Sequence, residues 1–448
     1  MRVAVIGGGI AGLAAAWELR DTADVTVLEP SRLGGCLHTS EFEGHLVDEG
    51  PDAFLTRVPE AVQLCRELGL EEELVAPSAG RSLLWWQGRL RPLPDGLVLG
   101  VPRQMGSLAR SGILSPRGLA RAALDLVLPR GRPPATLTVR ELVAGRFGTE
   151  VADRLVDPLV GGIHAGWTGQ LGAAEVVPQL VAAAERSRSL LRGLRTVPAS
   201  SGDQPIFLTP RLGMSRLVDV LVQALQARGT EFVGTRVASI GTGPDGRVVV
   251  AAEHDPFDAA VVATRGDVAA GIIGAEVQDL AALPVASVAL VTVALRGASL
   301  PSGVNGFLVP RGSGHLMTAC SFASNKWPHW ADPGQAVVRI SAGRHGDQGA
   351  LELSDAVLTE RLLGELGQAL GADLTPSASR VSRWPAAFPQ YLPGHGEHIS
   401  RIEAALSRRF PTVTLAGAAY RGSGIPACIG SGRRAAQIAV ARAQGVVV

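Results

Sequence analysis

The chain has 448 residues, 46% of them hydrophobic and 19% charged, and a formal net charge of +1. That balance excludes a disordered segment, which lacks apolar surface to bury, and a nucleic-acid binder, which carries a basic excess. At ordinary domain size the length calls for two or three domains rather than one.

Residues 2 to 7, RVAVIG, are a β-branched apolar run, and Ala11 to Arg20 follows with helical spacing at Leu13, Ala16, Trp17 and Leu19. Val25 to Glu29 reads as a second strand, so the start of the chain predicts a βαβ unit. The first apolar run enters a glycine cluster rather than a small-residue cleavage site, which makes it a strand and not a signal peptide. From about Val101 to Arg195 the pattern turns helical, as in Leu142 to Leu155 and Val176 to Leu191, with punctuation at Pro129, Pro133 and Pro134. The segment SRLVDVLVQALQARG reads as an amphipathic helix ending at Gly229, and EFVGTRVASI, GRVVVAA and DAAVVAT read as strands after it. Strands are expected at 285 to 295, 304 to 310 and 335 to 341, and a helix from Asp355 to Leu370. The last 40 or so residues read strand, glycine-rich loop, helix, and the chain shows no internal repeat or low-complexity tract.

Cys36, Cys65, Cys320 and Cys428 lie far apart without metal-ligand spacing, so neither a zinc site nor a disulfide framework is expected, and a cytoplasmic setting is the default. The longest apolar stretch, Ala281 to Leu295, is interrupted by Pro284, Ser287 and Thr292 and falls short of the roughly 20 residues that span a bilayer. Arginines 103, 110, 117 and 121 fit a solvated helix face better than a membrane-surface face, which leaves peripheral membrane contact open.

The first turn of the βαβ unit is Gly7-Gly8-Gly9-Ile10-Ala11-Gly12, and Glu29 ends the second strand. A lone GxGxxG is weak evidence, but between a strand and a helix and followed by an acidic residue it specifies a dinucleotide site. Gly7 permits the turn, Gly9 admits a pyrophosphate, Gly12 allows helix-to-strand packing, and Glu29 can accept hydrogen bonds from a ribose. Gly417, Gly422 and Gly424 form a second glycine-rich loop before a helix that could hold part of the same cofactor.

Glu29 through Gly35, with Arg32, Gly34 and Gly35, resembles the second dinucleotide motif of the FAD family that includes amine oxidases, phytoene desaturases and porphyrinogen oxidases. Four further stretches resemble the porphyrinogen oxidases, and in particular the soluble bacterial branch acting on coproporphyrinogen III: Asp48 to Phe54, Asp157 to Gly166, Arg383 to Tyr391 and Gly417 to Ile429. The resemblance implies FAD contacts from Gly50, Pro51, Asp52 and Ala53, from Val237 in a strand, from Trp384, and from Gly417, Gly424, Ile425 and Pro426. It implies a substrate cavity lined by Gly162 and His164. It also implies hydride transfer from a porphyrinogen meso carbon to the flavin, with dioxygen as final acceptor and hydrogen peroxide as product, and leaves open transfer of the porphyrin to a ferrochelatase. No metal and no dedicated catalytic acid or base are assigned. Protoporphyrinogen IX oxidase would share every motif; an amine oxidase is a more distant alternative, since the single lysine, Lys326, stands in an Asn-Lys-Trp setting unlike that family's.

The expected fold class is α/β, a Rossmann-like FAD domain with a mixed-sheet substrate domain and a helical insertion. The FAD part is expected from residues 1–75, 205–268 and 405–448, the substrate part from 76–95, 170–204 and 269–404, and the insertion from 96–169.

Overall fold

Strand β1 (Arg2–Ile6) lies at the centre of a parallel sheet in the computed structural model, which describes all residues except 79, 130–133, 135, 197–204, 252, 254 and 447–448. Helix α1 (Ile10–Leu19) carries the chain to β2 (Asp24–Leu28), and the βαβ unit is as expected. Helix α2 (Ser215–Gln226) leads into β3 (Glu231–Val233); β4 (Ala259–Val262), β5 (Val413–Leu415) and helix α3 (Ile425–Ala443) complete the set. The sheet order is β3-β2-β1-β4-β5, all pairs parallel. Both faces of such a sheet are covered, which is why β1 and β4 read as unbroken apolar runs instead of alternating. One face packs against α1, α2 and α3 through Leu13, Leu217 and Ile429; the other packs Phe257, Ile273, Leu280, Ile402 and Phe410.

These elements belong to one compact unit, residues 1–76, 205–283 and 396–448; residues 77–204 and 284–395 form a second. The second unit holds a seven-stranded mixed sheet in the order Pro376–Pro389, Val285–Arg296, Gln335–Ala342, Met317–Ser321, Val304–Leu308, Arg81–Trp86, Arg89–Pro92. Helix Asp355–Leu370 starts on the Ser354 cap, ends at left-handed Gly371, and buries Leu358, Leu362 and Leu366 in a cluster with Val291, Val293 and Ile340. The short helices between 105 and 195 have an apolar cluster of their own around Val143, Phe147, Leu155 and Leu180. The fold class is thus α/β.

Three expectations change. The helix read over 142–155 breaks at Gly148, whose φ of 89° ends Val139–Phe147, and the chain resumes with the α-helical turn Thr149–Val151, which runs into a ten-residue π-helix, Ala152–Gly161. Pro158 lies inside it and offers no N–H, so the regular ladder cannot run through. The stretch read over 176–191 divides into Pro178–Arg186 and Leu190–Arg195, with extended backbone at Ser187 and Ser189 between them. The strand read from 231 to 240 pairs with β2 at Glu231–Val233, leaves the sheet, and pairs again only from Ile240, in a separate hairpin with Val248–Val250, so Val237 is a buried loop residue, not a strand residue. Pro133 lies outside the described residues.

Candidate cofactor and substrate sites

The glycine positions of the first loop separate into two kinds when a methyl group is imagined on each. At Gly12 a Cβ would stand 1.9 Å from the Gly7 carbonyl oxygen, so α1 can approach β1 only without a side chain there. Gly7 has a φ of 110°, and its Cβ would meet the Ala263 carbonyl oxygen at 2.6 Å. At Gly9, by contrast, nothing lies within 4 Å. In glycine turns of dinucleotide-binding folds the second glycine is where a phosphate approaches the backbone, and here the structure leaves room at that position and not at its glycine neighbours. Gly9 is the N-cap of α1 and no side chain caps the helix, so its first amides and positive dipole end face that space.

The loop after β2 folds back onto the first. Gly34 N–H donates to the Gly8 carbonyl at 2.8 Å, and Gly9 and Gly34 form an isolated bridge. Arg32 Nη2 donates to the Gly35 carbonyl at 2.8 Å. One oxygen of Glu29 accepts from the Gly8 N–H at 2.8 Å, the other from the N–H and hydroxyl of Ser31 at 3.0 and 2.7 Å. Glu29 therefore braces the glycine turn. Its carboxylate retains about one acceptor site, since two oxygens provide about four and three are taken.

The second glycine loop reaches the same edge of the sheet. Ala263 N–H donates to Ile6 O and Ala416 N–H to Val262 O, which aligns the carboxyl ends of β1, β4 and β5. Gly417, at φ 123°, lies beside Thr264, and its N–H donates to Ser431 Oγ at 3.1 Å. Gly424 is the N-cap of α3, with Ile425 and Pro426 as its first residues. α3 crosses α1 so closely that a Cβ at Gly432 would be 2.0 Å from the Ala11 carbonyl. Gly50 to Ala53 lead into Phe54, which shares its core with Ile10, Leu37 and Ile425. Val237 belongs instead to the core on the opposite face, with Leu28. A crevice at the carboxyl ends of parallel strands, with glycine loops and a bare helix N-terminus, is where α/β folds hold nucleotides.

Trp384, Gly162 and His164 lie in the second unit. Trp384 stands opposite Val288 in the sheet and packs with Ala165, Ala286 and Phe388. His164 ends the helical turn Gly162–His164 after the π-helix. Desolvation pushes its imidazole down to about 4, so it is neutral at physiological pH. The unfolded chain then binds more protons than the folded one between about 4 and 6.5, and this group's contribution favours folding above that window and declines as pH falls through it. We expect His164→Gln to lose less thermal stability than the wild type on going from pH 7.5 to 4.5; equal losses would place a charged imidazole here. Sequence reasoning missed Arg311, His345 and Gln390, which hold this turn. Only Gln390 had a signal, as part of the Arg383 to Tyr391 stretch.

The fold and the first site define a dinucleotide-binding oxidoreductase of the flavoprotein class. The chain belongs to the family described as flavin containing amine oxidoreductase, whose model matches residues 10–440, and its cofactor is FAD. The glycine space at Gly9 fits that cofactor's pyrophosphate. Among curated relatives, coproporphyrinogen III oxidase of Bacillus subtilis is 32% identical over 97% of this chain and 96% of its own length. The protein of that name from Mycobacterium tuberculosis is 35% identical over 96% and 95%. Among solved structures, an Exiguobacterium protein provisionally assigned as a protoporphyrinogen oxidase superposes with a TM-score of 0.90 at 28% identity, covering 99% of both chains. Among the described residues no helix is long and apolar enough to cross a membrane.

Proposed function

We propose that the protein oxidises coproporphyrinogen III to coproporphyrin III with dioxygen, in heme biosynthesis and in the cytoplasm. The observation that carries this reading is similarity along nearly the whole chain to relatives named for that reaction, through the second unit as well as the first. The change removes six hydrogens from the macrocycle, in three two-electron rounds, each reducing one dioxygen to one hydrogen peroxide. FAD supplies the two-electron chemistry when bound. The chain's own part is to hold it: Gly9 and the α1 amides at the pyrophosphate, Glu29 at the ribose, and the Gly50–Ala53 and Gly417–Pro426 loops along the rest. Trp384 is a further proposed FAD-binding residue, and Gly162 and His164 are the proposed lining of the macrocycle's cavity. As a neutral imidazole, His164 can donate or accept one hydrogen bond there without presenting a charge to the apolar ring system. Residues 96–169 are the proposed helical insertion beside the substrate part, and a ferrochelatase is a proposed recipient of porphyrin.

Bovine protoporphyrinogen oxidase, 29% identical over 97% of each chain, supports protoporphyrinogen IX as the second candidate substrate. Purified yellow protein supplied in air with each anaerobically prepared porphyrinogen decides between them, with porphyrin fluorescence and peroxide read against an autoxidation blank. We expect coproporphyrinogen III to turn over faster. Rates at the blank for both substrates, with flavin still bound, would end the porphyrinogen reading.

A further inference from the structure

Three consecutive carbonyl oxygens in the turn that carries His164 are each held by a donor from a different segment. Gln390 Nε2 donates to His164 O at 2.9 Å, His345 N–H to Ala165 O at 2.7 Å, and Arg311 Nη2 to Gly166 O at 3.0 Å. Gly166 N–H closes the turn on Gly161 O at 2.8 Å. Ala165 sits at φ 45° and ψ 34°, a left-handed conformation that costs an L-residue about 1 kcal/mol. Glycine would relieve that strain, but the Ala165 methyl is buried against Ala286, Val288, Trp384 and Phe388. The turn is therefore held in shape by its surroundings and does not adopt it from local preference.

Arg311 is the costly member of the clamp. Burial and the neighbouring Arg344 push its guanidinium down, and the nearest carboxylate oxygen, of Asp157, is 4.0 Å from Nε. Asp157 is itself engaged by the Thr168 N–H and hydroxyl at 2.9 and 2.7 Å. A neutral amide could cap Gly166 as Gln390 caps His164, without desolvating a charge. What the arginine adds is reach: the same Nη2 also lies 3.4 Å from His345 O, tying the turn to the end of strand Gln335–Ala342. With its carbonyls drawn inward, the turn presents Ile163 at 54% exposure, half-buried His164 and Trp167 at 38%.

We infer that Arg311 is a positioning residue for substrate binding: it fixes the Gly162–Gly166 turn so that Ile163, His164 and Trp167 form a preshaped apolar and imidazole surface for the macrocycle. This rests on the porphyrinogen reading above. A surface held in its bound shape before binding avoids the cost of ordering it, so loosening it weakens substrate and transition state alike. In the FAD-loaded protein, Arg311→Ala is expected to raise KM for coproporphyrinogen III about tenfold with kcat within about twofold. Arg311→Lys, with one ammonium in place of the fork, is expected to raise KM about threefold and serves alone if the alanine variant does not fold. Amide hydrogen exchange across 162–168 should quicken in both variants while flavin content stays unchanged. Unchanged KM or unchanged exchange in a variant, beside a normally active wild type, overturns the inference, as does loss of flavin in step with activity. A wild type that oxidises no porphyrinogen instead sinks the functional reading, and the substrate role of Arg311 with it.

Discussion

Replacing Gly9 by leucine yields folded, colourless protein. The new Cβ meets no protein atom within 4 Å, so neither β1 nor α1 has to move to admit it. That space is the proposed place of the pyrophosphate, and four added carbons fill it. The helix amides stay in place but can no longer be approached. We expect flavin affinity to fall by on the order of a thousandfold, about 4 kcal/mol, with circular dichroism unchanged. Gly12→Val provides the contrast, because its Cβ would stand 1.9 Å from a backbone oxygen and the strand-to-helix packing has to open. It should fail as a fold, with or without added FAD. Full flavin occupancy in Gly9→Leu would overturn the placement of the pyrophosphate.

The second large effect lies in the helical part of the second unit, at Asp125. Its carboxylate is fully buried and takes four donors: Arg146 Nε at 2.7 Å, Ser189 Oγ at 2.7 Å, and the N–H groups of Leu190 and Leu191 at 3.1 and 2.9 Å. It thus caps helix Leu190–Arg195 and neutralises an arginine whose side chain is only 15% exposed. Asp125→Ala takes the carboxylate away from Arg146, which keeps only the backbone carbonyls of Pro129, Asp125 and Arg188, and leaves two helix amides without this acceptor, which costs about 3–5 kcal/mol. The measurement is the urea midpoint of the FAD-loaded protein. Removing both partners, in the Asp125→Ala, Arg146→Met double variant, should cost less than the sum of the single changes, since no buried charge is then stranded. A single variant within about 1 kcal/mol of wild type would show that water reaches the site and solvates what is left.

The βαβ unit and its glycine turn were readable in advance because their determinants are consecutive. A strand, a turn that only glycine can make, a helix and an acidic residue follow one another, and the required backbone geometry is written into residue types a few positions apart. The loop at Gly417–Pro426 was readable for the same reason. Val237 was not placed correctly, because a β-branched run sets a strand's tendency and only a neighbouring strand can satisfy its backbone; after Val233 the pairing with β2 stops. The helical reading of 142–155 missed the π-helix, since helical periodicity does not report which carbonyl each N–H will find around Pro158.

By itself, then, the sequence determined the α/β class, the βαβ unit and the tight glycine turn at its head, all of them set by sterics and hydrogen bonding over short spans of chain. The tertiary structure decided the rest. Arg311 meets Gly166 across 145 positions, Gln390 meets His164 across 226, and Asp125 meets Ser189 across 64. No local pattern encodes such pairs, because a buried donor is matched to whichever acceptor the folded chain brings within 3 Å or so, and that proximity exists only after the layers have packed.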